Sequence, residues 1–534
     1  MADSDGERDD VPLLGPLQLE GWRSQLQLKD YVAAVVAVCM VGLGVTAIAL
    51  VYNYQTEIID EYSIVLDAGS THTDLMVYKW TTKDVLQGTA LVKQIGSCMS
   101  TGGSISSYAS TDPNKAGSSL EGCIRNTAEK LIPTYLQAKS PIYLGATAGM
   151  RLVRETDTEA ADQIMKSVQH TLHASPFKFQ DEQARIISGD EEGLSSWVTV
   201  NYLRGGLLYR GILSNSSVQP TAHLQGALDM GGASTQITFP LHPGVTVPQK
   251  YTKYLHLYGR RHRLYTHSYL CYGNKEAERR YMFSLLKNSS MAAIVDNPCA
   301  PEGLVENRTV QYLLQPPCVD SHIPSSNQTF YTFRGTGNVT ECSSKVARMF
   351  NFSSCFGSTN CSFDGVFQPS TEDTKFVAFS SYYYVAHSLN LTSASPSGNI
   401  SLAGLKRAAD KFCSEPWAEV DTGNSPKQFL KTLCFDAQYI FTLLTQGYHL
   451  NENSSDVSFQ NSIHGRSLGW ALGFMINATN LLPINEPTYR VQTEAFMAVV
   501  IVAAILISLG VLLAITATRR AVNRKKMSPR GLAI

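Results

Sequence analysis

Two apolar runs frame the chain. Val32–Tyr52 ("VAAVVAVCMVGLGVTAIALVY") and Phe496–Ala517 ("FMAVVIVAAILISLGVLLAITA") carry no charge. At roughly 20 residues, each is long enough for a helix to cross a bilayer core of about 30 Å. The mostly polar residues 1–31 precede the first run and no small-residue cleavage site soon follows it, so it reads as a retained span and not as a removed signal peptide. Between the runs the pattern alternates. "SIVLDAGSTHTDLMVYKW" (Ser63–Trp80) is an apolar β run broken by a small-residue turn, and "PIYLGATAGM" (Pro141–Met150) is a strand entering a Gly/Ala turn. "RETDTEAADQIMKSVQHTL" has the acidic start and apolar spacing of an amphipathic helix. "FKFQDEQARIISGDEEGLSSWVTVNYL" reads as strand, polar turn and helix, and "SLGWALGFMINATNLLP" (Ser467–Pro483) as a helix that packs back on the first lobe. Such alternation predicts an α/β class with a largely central sheet.

Charge places this middle region. Arg519, Arg520, Arg524, Lys525 and Lys526 follow the second run; Arg23 and Lys29 precede the first, and "NYQTEIIDEY" after it has no basic residue. Both termini are therefore expected in the cytoplasm and the middle outside or in a lumen. Of 11 cysteines only Cys39 lies inside a run, leaving an even set in the middle that suits disulfides in an oxidising compartment. Asn-x-Ser/Thr acceptors at Asn215, Asn288, Asn307, Asn327, Asn338, Asn351, Asn360, Asn390, Asn399, Asn453 and Asn477 all fall there too. The expectation is a glycoprotein whose partner is the lipid bilayer. Net charge of −1 with no basic stripe argues against a nucleic-acid partner. "DDVPLL" (Asp9–Leu14) resembles an acidic dileucine signal read by vesicle adaptors; a disordered acidic tail is the other reading.

These signals divide the chain into a tail 1–31, a span 32–52, a linker 53–61, a first lobe 62–187 and a second lobe 188–460. A return segment 461–485, a linker 486–495, a span 496–517 and a basic tail 518–534 follow. Residues 271–434, rich in Cys, Pro, Ser and Asn, read as a loop-bearing insertion on the second lobe.

One phrase occurs twice. "VLDAGSTHTDL" around Asp67 returns as "ALDMGGASTQI" around Asp229. A turn of Gly and small hydroxyl residues between strands lets backbone N–H groups surround an anion, and phosphate is the common one. An acid in each turn repels phosphate unless a divalent cation sits between them, held by carboxylates or by their waters. Two such hairpins across a cleft would grip a polyphosphate, with Asp67 and Asp229 converging on one metal. "LGATAGMRL" adds a hydroxyl and a backbone donor at Thr147 and Ala148. "SGDEEGLSSW" adds Asp190, Glu191 and Glu192, of which one or two could point inward and orient an attacking water. There is no P-loop, His-Glu-x-x-His, Gly-x-Ser-x-Gly or Cys-x-x-Cys motif.

Five stretches, "IVLDAGSTHT", "YLGATAGMRLV", "SGDEEGLSSWVTVNYL", "GALDMGGASTQITF" and "SLGWALGFMINATN", resemble the five apyrase conserved regions in order and spacing. "LYTHSYLCYG" and "CSFDGVFQP" are similar to further signatures. The chain thus resembles the two-span, cell-surface ecto-nucleoside triphosphate diphosphohydrolases. That resemblance implies a two-lobed actin-like (ribonuclease H-like) α/β ectodomain between two transmembrane helices. It also implies stepwise hydrolysis of nucleoside tri- and diphosphates with Ca²⁺ or Mg²⁺, without a covalent phospho-enzyme, and association of copies through the membrane helices. A plasma-membrane address follows, with an endosomal or lysosomal pool if Asp9–Leu14 is read. Position by position, Glu192 matches the general base, and Asp67 and Asp229 the acids holding the metal through water. Thr147 and Trp470 match contacts to the same waters, and Ser234 and Gln236 groups near the attacking water. Ser70, Thr71, His72, Thr147, Ala148, Gly231, Gly232 and Ala233 match phosphate-cradling positions. Tyr384 matches a base-stacking aromatic, with a core tyrosine as the bland alternative. The implied disulfides are Cys98–Cys123, Cys271–Cys318, Cys299–Cys342, Cys355–Cys361 and Cys413–Cys434.

Four departures stand out. Asp190 replaces the usual Gln and adds a negative charge near the base, "GLSSW" replaces "GAYGW", Thr71 replaces Ser, and Asn274 stands where some relatives carry a base-contacting Arg. A catalytically weak nucleotide-binding surface glycoprotein is the second functional reading; the joint presence of Asp67, Glu192 and Asp229 speaks against it.

Overall fold

The computed structural model describes residues 28–54, 60–81, 92–207, 224–319, 328–394, 398–420, 426–481 and 493–527. Arg23, the Asp9–Leu14 motif, Asn215, Asn327 and most of both linkers lie outside them. The chain forms two compact units, Ile59–Ile484 and the terminal segments Met1–Ile58 with Asn485–Ile534.

The larger unit is built on two sheets of one design. The first runs β3-β2-β1-β4-β5, from β1 (Asp60–Ala68), β2 (Thr73–Thr81), β3 (Lys93–Met99), β4 (Ile142–Ala146) and β5 (Ala184–Ile186). The second draws on β6 (Gly226–Met230), β7 (Ser234–Pro240), β8 (Thr252–Leu257) and β9 (Arg260–Leu270). Strands β10 (Ile294–Asn297), β11 (Val305–Thr309) and β12 (Phe330–Gly335) form a small separate sheet, and β13 (Phe376–Ser380) and β14 (Val457–Phe459) rejoin the large one. The second sheet therefore reads β8-β9-β7-β6-β13-β14. Setting β9, β7, β6, β13 and β14 beside β3, β2, β1, β4 and β5 matches every neighbour and every strand direction: antiparallel, antiparallel, parallel, parallel. Registers agree too. Ala68 pairs with Thr73 and Met230 with Thr235, so the turns are Gly69–His72 and Gly231–Ser234.

Helices of eight or more residues in this unit are α1 (Ala148–Thr156), α2 (Thr158–His173), α3 (Gly189–Leu203), α4 (Asn274–Asn288) and α5 (Val339–Ala347). They continue with α6 (Ser381–Ser388), α7 (Leu402–Ser414), α8 (Leu433–Thr442) and α9 (Trp470–Leu481). After β5 the chain crosses and α3 packs on β6, β7 and β9 of the other sheet; α9, after β14, packs on α3 and β1. The two crossing helices touch through Gly473, whose N–H donates to Thr199 Oγ1 at 2.8 Å. A Cβ at that position would come within 1.8 Å of the Ser195 carbonyl, so only glycine allows this approach. Val65, Tyr78 and Trp80 from the first sheet, Val377 and Phe379 from the second, and Trp197, Trp470 and Met475 from the helices close one shared core.

Residues 271–434 differ from the loop-bearing insertion the sequence suggested. They hold β10–β12, α4–α7, the start of α8 and β13, a central strand of the large sheet. Their aromatic residues, among them Tyr281, Phe333, Phe363 and Phe376, build a second core on the outer face of that sheet. Frequent turn residues between these elements masked their periodicity. The disulfides present are Cys98–Cys123, Cys271–Cys318, Cys299–Cys342, Cys355–Cys361 and Cys413–Cys434. Asn288, Asn307, Asn338, Asn351, Asn360, Asn390, Asn399 and Asn453 are exposed, whereas Asn477 on α9 is half-buried.

In the other unit, helices Leu28–Tyr54 and Thr493–Met527 are long and apolar enough to cross a membrane. They pack side by side with Gly44 under Ile507 and Gly510 against the Ala37 carbonyl. Arg524 Nη1 and Asp30 Oδ2 join their ends at 2.6 Å.

Candidate active site

The two turns are closed identically. Gly69 N–H donates to the His72 carbonyl and Gly231 N–H to the Ser234 carbonyl, each at 3.0 Å. That closure leaves the amides between them pointing out of the strand ladder, available to an anion. The turns also face one another. A Cβ on Gly232 would lie 2.7 Å from Ser70 Oγ, and a Cβ on Gly149 would lie 2.8 Å from Ser70 Cα. Glycine at 232 and 149 thus lets both the second hairpin and the start of α1 close on the first. Thr147 caps α1; its N–H donates to the Ala68 carbonyl at 3.0 Å and its hydroxyl reaches the same oxygen at 3.4 Å. Ala148, buried, begins the helix.

The three acids opening α3 are sorted by their partners. Ser188 caps the helix and Glu191 completes the capping box while pairing with Arg185 at 2.7 Å, which holds its carboxyl below the usual range despite partial burial. Asp190 pairs with Lys253 on β8 at 2.9 Å, so the extra charge of this departure is neutralised. Only Glu192 is buried. Its Oε2 accepts hydrogen bonds from Arg151 Nη2 and from Gln236 Nε2, the latter at 3.1 Å. Arg151 Nη2 also lies 3.2 Å from Ser234 Oγ, and Gln236 Nε2 lies 2.7 Å from Ser234 Oγ and 2.9 Å from Ser268 Oγ. Burial pushes the Glu192 carboxyl up to about 7; Arg151 opposes the rise and Asp229 adds to it. Gln236 Oε1 is a buried acceptor without a protein partner among the described residues.

Asp229 is buried between two serines. Ser380 Oγ donates to Oδ1 at 2.8 Å and Ser196 Oγ to Oδ2 at 3.1 Å. Burial raises its carboxyl to about 6, and both serines hold it down. Asp67 keeps part of its surface open, yet desolvation lifts it to about 8, with Glu192, Asp229 and Asp74 adding to the rise. The Trp470 indole opposes that rise, although its buried N–H stops short of hydrogen-bond geometry. Trp470 reaches Asp67 because residue 145 is glycine: a Cβ there would sit 2.3 Å from Trp470 Cη2.

Asp67, Asp229, Glu192, Ser234, Gln236, Thr147, Ala148, Trp470 and both turns therefore form one site. Tyr384 stands apart from this hydrogen-bonded set, one turn along α6 from the end of β13. It is 61% exposed, which rules out the core reading; Tyr382 at 0% is the core tyrosine. Ser70 and Thr71 are half-buried, and exposed His72 bridges Thr71 Oγ1 (2.7 Å) and Asp74 (3.3 Å). Sequence reading passed over Arg151, Ser196, Ser268 and Ser380. Arg151 and Ser196 were visible in principle, each four residues along a helix from Thr147 and Glu192 and so on the same face. Ser380 was not, because it adopts φ +57°, a conformation no serine advertises.

Residues 53–493 match the GDA1/CD39 (nucleoside phosphatase) family. The chain is 39% identical over 456 residues to ectonucleoside triphosphate diphosphohydrolase 8 of Gallus gallus, covering 83% of this chain and 90% of that protein. It is 35% identical over 494 residues to ectonucleoside triphosphate diphosphohydrolase 3 of Mus musculus, covering 91% of each. With ectonucleoside triphosphate diphosphohydrolase 2 of Rattus norvegicus it shares 39% over 467 residues, 86% of this chain and 91% of that one. Among solved structures, that of nucleoside triphosphate hydrolases from Neospora caninum superposes with a TM-score of 0.59 at 17% identity, covering 81% of this chain and 95% of that one. At that identity the likeness concerns the fold, the two-lobed actin-like arrangement that the paired sheets already display.

Proposed function

The chain belongs to the GDA1/CD39 (nucleoside phosphatase) family, and from that premise we propose that it is an apyrase. It removes terminal phosphate from nucleoside tri- and diphosphates (ATP, ADP, UTP, UDP), stepwise to the monophosphate, through a water activated by Glu192. One observation carries the reading. Glu192 has its Oε2 fixed by Arg151 and Gln236, while Gln236 Oε1 beside it is a buried acceptor with no protein partner among the described residues. A water donating one hydrogen to each of these carboxylate and amide groups fills that gap.

The amides of Ser70, Thr71, Gly232, Ala233 and Ala148 hold the phosphate oxygens. Glu192 takes the proton as the water oxygen bonds to phosphorus, and the anhydride P–O bond opposite breaks to release the shorter nucleotide. A carboxyl near 7 suits a base at neutral pH: ionised in about half of the molecules, yet basic enough to accept a proton. Tyr384 offers an exposed ring to the base.

The residues also fit a hydrated divalent cation. Burial raises the Asp67 carboxyl and the charges of Glu192 and Asp229 add to the rise, a repulsion that a cation relieves, and the Trp470 N–H is a buried donor without a partner among the described residues. Asp67, Asp229, Thr147 and Trp470 would hold Ca²⁺ or Mg²⁺ through water. When bound, the cation supplies positive charge to the phosphate oxygens as negative charge shifts among them. Exposed glycosylation acceptors and the disulfides support a plasma-membrane placement with this unit outside.

Intact cells bearing the chain should release phosphate from external ATP and ADP, and a divalent chelator should stop it. Glu192→Gln should lower kcat by about 10²–10⁴-fold. Undiminished turnover in that variant would remove Glu192 from the role of base.

A further inference from the structure

Lys275 is the second residue of α4. The N–H groups of Asn274 and Lys275 donate to the carbonyls of Gly231 (3.1 Å) and Gly232 (3.0 Å), so the start of α4 is tied to the second phosphate turn. The lysine side chain consequently lies along that turn: a Cβ on Gly232 would be 3.5 Å from Lys275 Cδ and 2.7 Å from Ser70 Oγ of the first turn. Its positive charge is felt by His72, also on the first turn.

The basic groups named so far in this site are engaged. Arg151 pairs with Glu192, Lys253 with Asp190, Arg279 with Glu276, and His72 contacts Asp74. Lys275 is exposed, and among the described residues no carboxylate lies within ion-pair distance of its ammonium and no acceptor takes its hydrogen bonds. A flexible point charge of this kind, at the meeting of two anion-cradling turns, is suited to a mobile, highly charged chain of phosphates.

We propose that Lys275 is a substrate-contacting residue that binds the polyphosphate chain of the nucleotide and favours triphosphates over diphosphates. This rests on the hydrolase reading of the cleft. The contact is electrostatic and partly screened, so it acts on affinity and on KM, grows with the charge of the nucleotide and weakens as salt rises. It does not touch the water or Glu192, so kcat is left alone.

The test uses the full chain as wild type, Lys275→Ala, Lys275→Arg and Lys275→Glu. Binding of β,γ-imido-ATP and of α,β-methylene-ADP is measured by calorimetry at low and high salt, beside KM and kcat for ATP and ADP. Lys275→Ala should weaken the triphosphate analogue by about three- to tenfold and the diphosphate analogue less. Arg should restore binding, Glu should weaken it further, and kcat should stay within about twofold. The wild-type advantage should shrink at high salt. Unchanged binding of both analogues in Lys275→Ala overturns the proposal, as does equal weakening by Ala and Arg, which would mark a packing role. Wild type that binds both analogues with this charge pattern yet releases no phosphate would defeat the hydrolase reading alone.

Discussion

The two hairpins share a backbone and divide the labour. In the first, Asp67 pairs across the strands with Asp74, and His72 occupies the last position of the turn. In the second, the corresponding pair is Asp229 with Gln236, and the turn ends in Ser234. The first is more open, with Ser70 and Thr71 half-buried and His72 exposed; the second is buried from Gly232 onward. Both offer amides and one carboxylate, so the cradle belongs to the backbone. What separates them is the cross-strand partner of the acid. Asp74 stays at the rim with His72, while Gln236 turns inward to meet Glu192, Ser234 and Ser268. On the proposed mechanism both copies cradle phosphate through their amides, and the second alone adds a group beside the attacking water, the difference resting on the side chains at 74 and 236.

Exchanging those side chains is the severest trial of this contrast. Gln236→Asp places a carboxylate beside Glu192 and removes the amide donor, and should lower kcat by about 10²–10³-fold. The mirror change Asp74→Gln should cost about threefold or less in kcat/KM. Comparable losses in the two variants would mean the hairpins are not specialised. A smaller effect is expected at Arg151. The proposed base Glu192 must be ionised to accept a proton, so on that reading wild-type kcat/KM should fall as pH drops through about 7. Arg151→Gln removes the cation that opposes the raised pKa, and the acid limb should move up by about one pH unit; a limb that stays put would deny the arginine that role.

The smallest effect concerns stability. Asp67, Glu192 and Asp229 all have folded-state pKa values above their ordinary ones, at about 8, 7 and 6. The native state therefore holds more protons than the unfolded chain between about pH 4 and pH 8, and stability is lost as pH rises through that window. With a chelator present, raising pH from about 5 to about 9 should lower Tm more in wild type than in a variant carrying Asp67→Asn, Glu192→Gln and Asp229→Asn together. Ca²⁺ or Mg²⁺ should restore wild type chiefly at the alkaline end. Parallel Tm profiles would show that these carboxyls are not strained by burial.

The sequence made the hairpins legible because both signals are local: alternating strands and a Gly-hydroxyl turn set against an acid. It could not say which of Asp190, Glu191 and Glu192 points inward. That choice depends on Lys253, distant in the chain, which takes Asp190, and on the capping box with Arg185, which takes Glu191. Ser380 escaped notice for a different reason, since its bond to Asp229 needs a backbone conformation serine seldom adopts. Residues 271–434 were underread because the turn residues, cysteines and glycosylation acceptors between their elements dominate the composition, although β13 among them lies beside β6 in the middle of the sheet.

The exchange of α3 and α9 between the sheets has a consequence for how the chain is made. Every strand of the first sheet has left the ribosome by Ile186, yet the indole that covers Gly145 and faces Asp67 belongs to residue 470. Until that segment emerges, the nascent protein carries an unroofed groove along α3 at Ser195, and the whole second lobe, with its disulfides, must form in the meantime. Such late, long-range closure slows maturation and prolongs exposure to chaperones and to mispairing. The final helix of the ectodomain thus acts as the keystone of a structure begun some hundreds of residues earlier, and a chain cut short before Trp470 would be left open at the floor of its own active site.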